Sequence, residues 1–304
     1  MRTTRLTALL GLAAVATLGL TACNSGSPAP GGAAGGSEGT DESSVWFETA
    51  SDVSLEGSPT FDRITERGGV IVGVKEDQPG LGFLDVTTNE RTGFDIDIAR
   101  WIAASLGYGE EDITFQPIAS ANREQAIVNG DIDYYVGTYS ITDKRKEQID
   151  FAGPYFITGQ GLLVASDSDI ASEADLGPDT NVCSATGSTP IQNIKANFPG
   201  VPTTEFDVYS ACVEALLNGQ VDAVTTDQAI LIGYAALYPD ELKVVGEPFS
   251  EERYGVGLEK GDTVLLEHIN EMFTDGGDIW QAIFDKNLGA SGITVEQPAV
   301  DAAS

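Results

Sequence analysis

Arg123–Thr138 reads REQAIVNGDIDYYVGT, and Cys212–Asp227 reads CVEALLNGQVDAVTTD. Both run through helix-forming residues to Asn-Gly, one further residue, an aliphatic, an aspartate and then a strand-like stretch. The offset is 89 residues throughout, so Thr138 and Asp227 hold equivalent positions at strand ends. Helix, Asn-Gly and strand in that order is a common unit, and chance is the competing explanation. Two such units predict two similar lobes. Open α/β sheets bind ligands just beyond the carboxyl ends of their strands. Facing lobes would present Thr138 and Asp227 to one cleft from opposite sides.

Outward from these units the alternation continues. Val70–Val74 (VIVGV) is a short apolar run of the buried-strand kind. Phe94, Ile98, Ile102 and Leu106 recur at helix spacing, and Gly107 ends that helix. Further strands are expected over 131–137, 161–165, 180–184, 221–225, 243–246 and 254–258. Helices are expected over 188–198, 209–218, 227–238, 263–274 and 278–288, with a short charged one capped by Thr142. The pattern predicts an α/β fold with mostly parallel sheets.

The first 22 residues stand apart. Arg2 and Arg5 precede the apolar stretch Leu6–Leu20, and Leu-Thr-Ala-Cys closes the segment at 20–23. This is the layout of an export signal, too short to span a membrane comfortably. The residues before Cys23 resemble a bacterial lipobox, which implies cleavage after residue 22 and a lipid (palmitate) on Cys23. An ordinary secretory signal cut nearby is the alternative. Residues 23–44 are dominated by Gly, Ser, Pro and Ala, a composition that makes a flexible tether. The expected location is extracytoplasmic, lipid-anchored to the cell membrane.

The net charge of −31 argues against nucleic acid and anionic membrane surfaces as partners. It leaves open an anionic small ligand, which responds to a local pocket. In an exported protein the two remaining cysteines, Cys183 and Cys212, are expected to pair, with buried free thiols as the alternative. Such a bridge closes a loop of about 30 residues and stabilises by roughly 3–4 kcal/mol in the chain-entropy model. With His268 the only histidine, neither a transition-metal site nor a His-based nucleophile relay is expected. No cofactor is implied.

From about residue 60 to 290 the chain resembles the polar-amino-acid solute-binding proteins of ABC importers (family 3). The resemblance rests on GFDIDIARWIAASLG at 93–107, NGDIDYYVGTYSITDKRKEQIDFAGPYF at 129–156, GSTP at 187–190 and NGQVDAVTTD at 218–227. VGVKEDQPGLGF at 72–83 and the cysteine spacing look most like Gram-positive glutamate binders. It implies a two-lobed, periplasmic-binding-protein-like fold of type II. The lobes would be 45–157 with 250–304, and 158–249. The hinge would cross near Phe156–Gly161 and Val245–Ser250. It also implies a monomer that hands an amino acid to a membrane permease with an ATPase subunit.

The chemistry of a free amino acid allots the site residues. Its carboxylate wants a guanidinium fork and neutral donors. Arg145, just after a strand end, is the candidate fork, with Thr138 and Ser140 adding hydroxyls. Gly187-Ser188-Thr189-Pro190 looks like a turn entering a helix, with Pro190 at its first position, so Ser188, Thr189 and free N–H groups would meet the same carboxylate. Asp227 would pair with the ammonium; as an alternative it is only a helix N-cap. Lys75 and Arg123 would add a positive pocket for an acidic side chain, glutamate before aspartate; otherwise both are solvated surface charges. In acidic-amino-acid relatives, basic residues at these two places contact the side-chain carboxylate. Asp95 and Asp97 are expected to start a helix, and Trp101, Trp280, Phe151 and Tyr155 to pack. The rival readings are glutamine or asparagine binding, a detached sensor domain, and an enzyme of dehydratase or transglycosylase type on the same scaffold. No paired-carboxylate signature marks a catalytic residue.

Overall fold

The structure is a computed structural model that describes residues 47–302. The expected signal segment, tether and lipidated Cys23 lie outside the described residues. Within the described residues no helix is long and apolar enough to cross a membrane.

Two five-stranded sheets organise the chain. The first has the order Ile113–Pro117, Val70–Val74, Tyr134–Tyr135, Glu252–Leu258, Asp150–Thr158. The second has the order Thr203–Phe206, Val182–Ala185, Ala223–Asp227, Gln160–Ala165, Leu242–Val245. Both are mixed in the same way. The three strands on one side run parallel, as strand–helix–strand crossovers require. The two strands on the other side pair antiparallel with the centre and with each other. The two echoed stretches supply the central strand of each sheet and the helix before it, Arg123–Val128 and Tyr209–Leu217. A third, small antiparallel sheet joins Asp77–Gln78, Gly82–Asp85 and Glu90–Thr92.

The crossings between sheets are short. Asp150–Thr158 ends the first sheet, Gly159 intervenes, and Gln160 begins the second. The return runs from Val245 to Glu252. The two crossings touch: Gln160 N–H donates to Ser250 Oγ at 3.1 Å, and Phe249 N–H donates to the Gln160 carbonyl at 2.9 Å. A Cβ at residue 159 would lie 2.3 Å from the Ser250 carbonyl oxygen, so only glycine fits there.

Local chemistry explains the element ends. Helix Pro59–Arg67 is capped by Ser58 Oγ and stopped by left-handed Gly68. Helix Phe94–Ser105 buries nearly every side chain, which is why its apolar spacing is broad. Trp280 is fully buried against Phe94 at 5.8 Å between centroids, and its indole donates to the Tyr155 carbonyl at 2.8 Å. The strand expected over 131–137 is reduced to Tyr134–Tyr135. Asp133 takes the Ile71 N–H with its carboxylate, and Thr138 turns the chain away with φ of 48°. Cys183, on a strand of the second sheet, is disulfide-bonded to Cys212 on helix Tyr209–Leu217, with Cα atoms 5.6 Å apart.

Candidate ligand site

Three cations gather beside the first sheet. Lys75 follows strand Val70–Val74 directly and is 3% exposed, with Nζ 2.8 Å from Ser120 Oγ. Arg123 opens its helix, is equally buried, and donates from Nε to the Ser120 carbonyl at 3.1 Å. Among the described residues neither has an ion-pair partner within 4 Å. Burial first, then the charge of Arg123, pushes the Lys75 ammonium down to about 7. Asp77 opposes this and Arg145 adds to it.

Arg145 lies in the short helix Asp143–Lys146, started by the Thr142 hydroxyl. Its guanidinium is well supplied with acceptors. Nε faces Glu124 Oε1 at 3.1 Å, Nη1 the Ser140 carbonyl at 2.6 Å, and Nη2 the Gly187 carbonyl at 3.2 Å. Arg145 and Arg123 also share the Tyr139 ring, 4.8 and 4.3 Å from its centroid. Thr138 is buried in a left-handed conformation that a branched residue adopts only when held. Asp95 holds it, accepting the Thr138 N–H at 2.9 Å and the Tyr155 hydroxyl at 2.9 Å. Burial pushes the Asp95 carboxyl up to about 6, against both hydrogen bonds. The Thr138 hydroxyl donates to Gln78 Oε1 at 3.2 Å.

The second sheet supplies the opposite wall. Ser188 caps helix Thr189–Asn197 and accepts from Ile191 N–H at 3.3 Å, so its hydroxyl serves the helix start. Thr189 is the first helical residue and Pro190 the second. The Thr189 hydroxyl donates to Glu252 Oε2 at 2.9 Å and lies 3.2 Å from Ser140 Oγ, joining residues of both sheets' territories. Asp227 sits at the N-cap position of helix Gln228–Leu237, yet its side chain makes no capping hydrogen bond. Its Oδ2 instead accepts from Tyr254 OH at 2.6 Å. Burial, then the nearby charge of Glu252, pushes the Asp227 carboxyl up to about 8.

Polar satisfaction separates this region from the rest of the interior. Among the described residues six buried side-chain nitrogen or oxygen atoms lack a partner, and four belong here: Gln78 Nε2, Tyr139 OH, Thr226 Oγ1 and Asp227 Oδ1. Leaving such atoms unpaired costs about 1–3 kcal/mol each, so a region that concentrates them has donors and acceptors to offer another molecule.

Comparison with known proteins agrees with the cleft. Residues 70–289 match the model of the bacterial extracellular solute-binding proteins, family 3. The chain belongs to that family. It is 39% identical over 308 residues to the glutamate-binding protein GluB of Corynebacterium glutamicum, covering 97% of this chain and 94% of that one. It is 39% identical over 224 residues to the ABC transporter glutamine-binding protein GlnH of Bacillus subtilis, covering 71% and 81%. Among solved structures, an ancestral arginine-binding protein bound to glutamine superposes with a TM-score of 0.67 at 38% identity, covering 73% of this chain and 99% of that one.

In this solute-binding protein the structure brings all eight residues singled out from sequence to the facing ends of the two sheets, each 7% exposed or less or, for Thr189, hydrogen-bonded to Ser140 and Glu252. Sequence reading missed Glu124, Gln78, Tyr139, Glu252 and Tyr254. It gave Asp95 only a helix-start role, whereas its buried carboxylate fixes Thr138. Position i+1 after Arg123 marked Glu124, and Gln78 followed Lys75 by three; neither carried a signal of its own. His268 is half-buried, with Nε2 3.1 Å from Ser105 Oγ.

Proposed function

We propose that this solute-binding protein captures L-glutamate in the cleft, with aspartate as the weaker acidic ligand, and delivers it to the membrane permease of an ABC importer. The observation that carries the reading is the set of three buried cations opposite one buried carboxylate with a free oxygen. Arg145 binds the α-carboxylate, with Thr138, Ser140 and Thr189 as neutral donors and the helix start at Ser188 adding N–H groups. The free oxygen of Asp227 takes the ammonium. Lys75 and Arg123, which have no ion-pair partner among the described residues, take the side-chain carboxylate. A neutral side chain would leave both cations buried without an ion-pair partner, an arrangement disfavoured in low dielectric.

The names of the relatives support an amino-acid ligand and divide between glutamate and glutamine. The charge count of the cleft favours the former. Sheet membership supports lobes of 45–157 with 250–304, and 158–249, closing by a hinge at Gly159 and at 245–252. The lipobox-like segment supports anchoring through Cys23 after removal of residues 1–22, with 23–44 as tether, and an extracytoplasmic location; the family resemblance implies a monomer. Binding in the micromolar range or tighter is expected, about 8 kcal/mol or more. Calorimetry of residues 45–304 against the twenty amino acids tests the reading. Tight glutamate and weak glutamine binding is expected. Equal or tighter glutamine binding would remove Lys75 and Arg123 from specificity, and no heat with any amino acid would sink the function.

A further inference from the structure

Away from the ligand residues, the small sheet reaches across to the second lobe at one carboxylate. Asp77 Oδ2 accepts the Ser210 N–H at 3.0 Å. Ser210 is the second residue of helix Tyr209–Leu217, whose N-cap position is held by Val208. Valine has no acceptor, and the helix makes no side-chain cap bond of its own. Asp77 therefore caps this helix from the other lobe, where its negative charge also faces the positive helix end. The Tyr234 hydroxyl, from helix Gln228–Leu237, donates to the Asp77 carbonyl and lies 3.4 Å from Oδ2. One turn of backbone further, the Pro79 carbonyl presses on Gly233, where a Cβ would sit only 2.3 Å from that oxygen. Gly233 is mid-helix, where glycine lowers helix stability relative to alanine, so close approach is what explains it there.

We propose that Asp77 is an interlobe latch: it supplies the missing N-cap of helix Tyr209–Leu217 across the cleft, with Tyr234 and the Gly233–Pro79 contact completing it, so that closure over ligand is held by a helix cap shared between lobes. The contact exists only when the lobes meet. Opening returns Asp77 to water and leaves the Ser210 end of the helix uncapped. The inference rests on the reading of the chain as a protein that closes on an amino acid. Asp77 also lies close enough to Lys75 to hold its ammonium up, so latch and ligand pocket share one charge.

The test uses the full chain in detergent, wild type against Tyr234→Phe and Gly233→Ala, neither of which touches Lys75. With L-glutamate followed by stopped flow, each variant is expected to dissociate about five- to tenfold faster, with association within about twofold of wild type. Glutamine, measured alongside, loses the same factor, so selectivity stays put. Gly233→Ala should do this without lowering the ligand-free melting temperature, since alanine favours the helix. Asp77→Ala should add a further loss confined to glutamate, through Lys75. Unchanged dissociation in both Tyr234→Phe and Gly233→Ala would overturn the latch. Amide exchange at 209–212, read in the presence of each of the twenty amino acids, follows the latch whichever of them closes the lobes. The amino acid that binds is expected to slow exchange there in wild type and to slow it less in all three variants, and equal slowing in variants and wild type counts against the proposal. If an amino acid other than glutamate produces the difference, the latch survives and the glutamate reading fails.

Discussion

Burial leaves the Lys75 ammonium at about 7 and the Asp227 carboxyl at about 8, so both titrate close to neutral pH. On the proposed reading, glutamate binding needs the first charged and the second ionised. Below pH 7 the complex must release a proton from Asp227, and affinity rises with pH by up to about tenfold per unit. Above pH 8 the complex must take up a proton at Lys75, and affinity falls with a similar slope. Between the two the effects cancel into a plateau, with Glu252, Asp77, Arg123 and Arg145 as the facing charges. Calorimetry from pH 5.5 to 9 checks this, and Lys75→Met should flatten the alkaline limb. The same variant should stabilise the ligand-free protein. A lysine depressed below its ordinary 10.5 binds fewer protons folded than unfolded between pH 7 and 10.5, so its contribution to stability worsens as pH falls through that window. Relative to wild type, Lys75→Met should melt higher at pH 7, by a margin that shrinks toward pH 10. If Asp227 pairs with the ligand ammonium as proposed, Asp227→Ala removes one side of a buried ion pair and should cost about 2–5 kcal/mol of affinity for glutamate and glutamine alike. An unchanged dissociation constant would leave Asp227 as a partner of Tyr254 alone. These residues were legible because each follows a strand or opens a helix. Glu124 was not, since a carboxylate beside Arg145 shows only once helix Arg123–Val128 packs against Asp143–Lys146.

Elements carry the site through their ends. The helix beginning at Thr189 is capped by Ser188 and preceded by Gly187, whose φ of 78° suits glycine. A Cβ there would lie 2.7 Å from Ala121 Cα, across the cleft. Gly187→Ala should therefore weaken all ligands together, by about tenfold, because it shifts the lobes toward opening rather than altering a contact. Parallel titrations with glutamate and glutamine check that, and a selective loss would place residue 187 in the specificity pocket. The disulfide works at the same scale, tying a strand of the second sheet to helix Tyr209–Leu217. Cys183→Ser with Cys212→Ser should lower stability by about 2–4 kcal/mol in urea denaturation. The helices from Thr189 onward were predicted within two residues of their observed ends because caps and spacing fix them locally. Strands Ile113–Pro117 and Thr203–Phe206 and the three strands of the small sheet were missed, since short strands with partly exposed faces lack a clear period; Asp150–Thr158 was missed because it is buried on both faces and carries no alternation.

At the scale of the molecule, two five-stranded sheets share one plan. Each places its echoed strand centrally and hands a residue from its end to the cleft, Thr138 from one and Asp227 from the other. Adding L-glutamate to residues 45–304 should contract the particle in solution scattering, because ligand contacts on both walls favour the closed arrangement. A radius of gyration that stays constant would mean that the body does not hinge.

The sequence alone determined the two-unit plan, the positions of the main helices and of the parallel core strands, the expected cysteine pair and the eight candidate ligand residues. All of these are written locally, in spacing, caps and short motifs. Only the tertiary structure decided which polar atoms are left unpaired, that Asp227 is held by Tyr254 and does not cap its helix, that Asp95 pins Thr138, and that Asp77 caps a helix of the other lobe. Those outcomes depend on burial and on partners 27 to 133 residues away along the chain. No local pattern encodes such distances, because they are set when the two sheets close on each other.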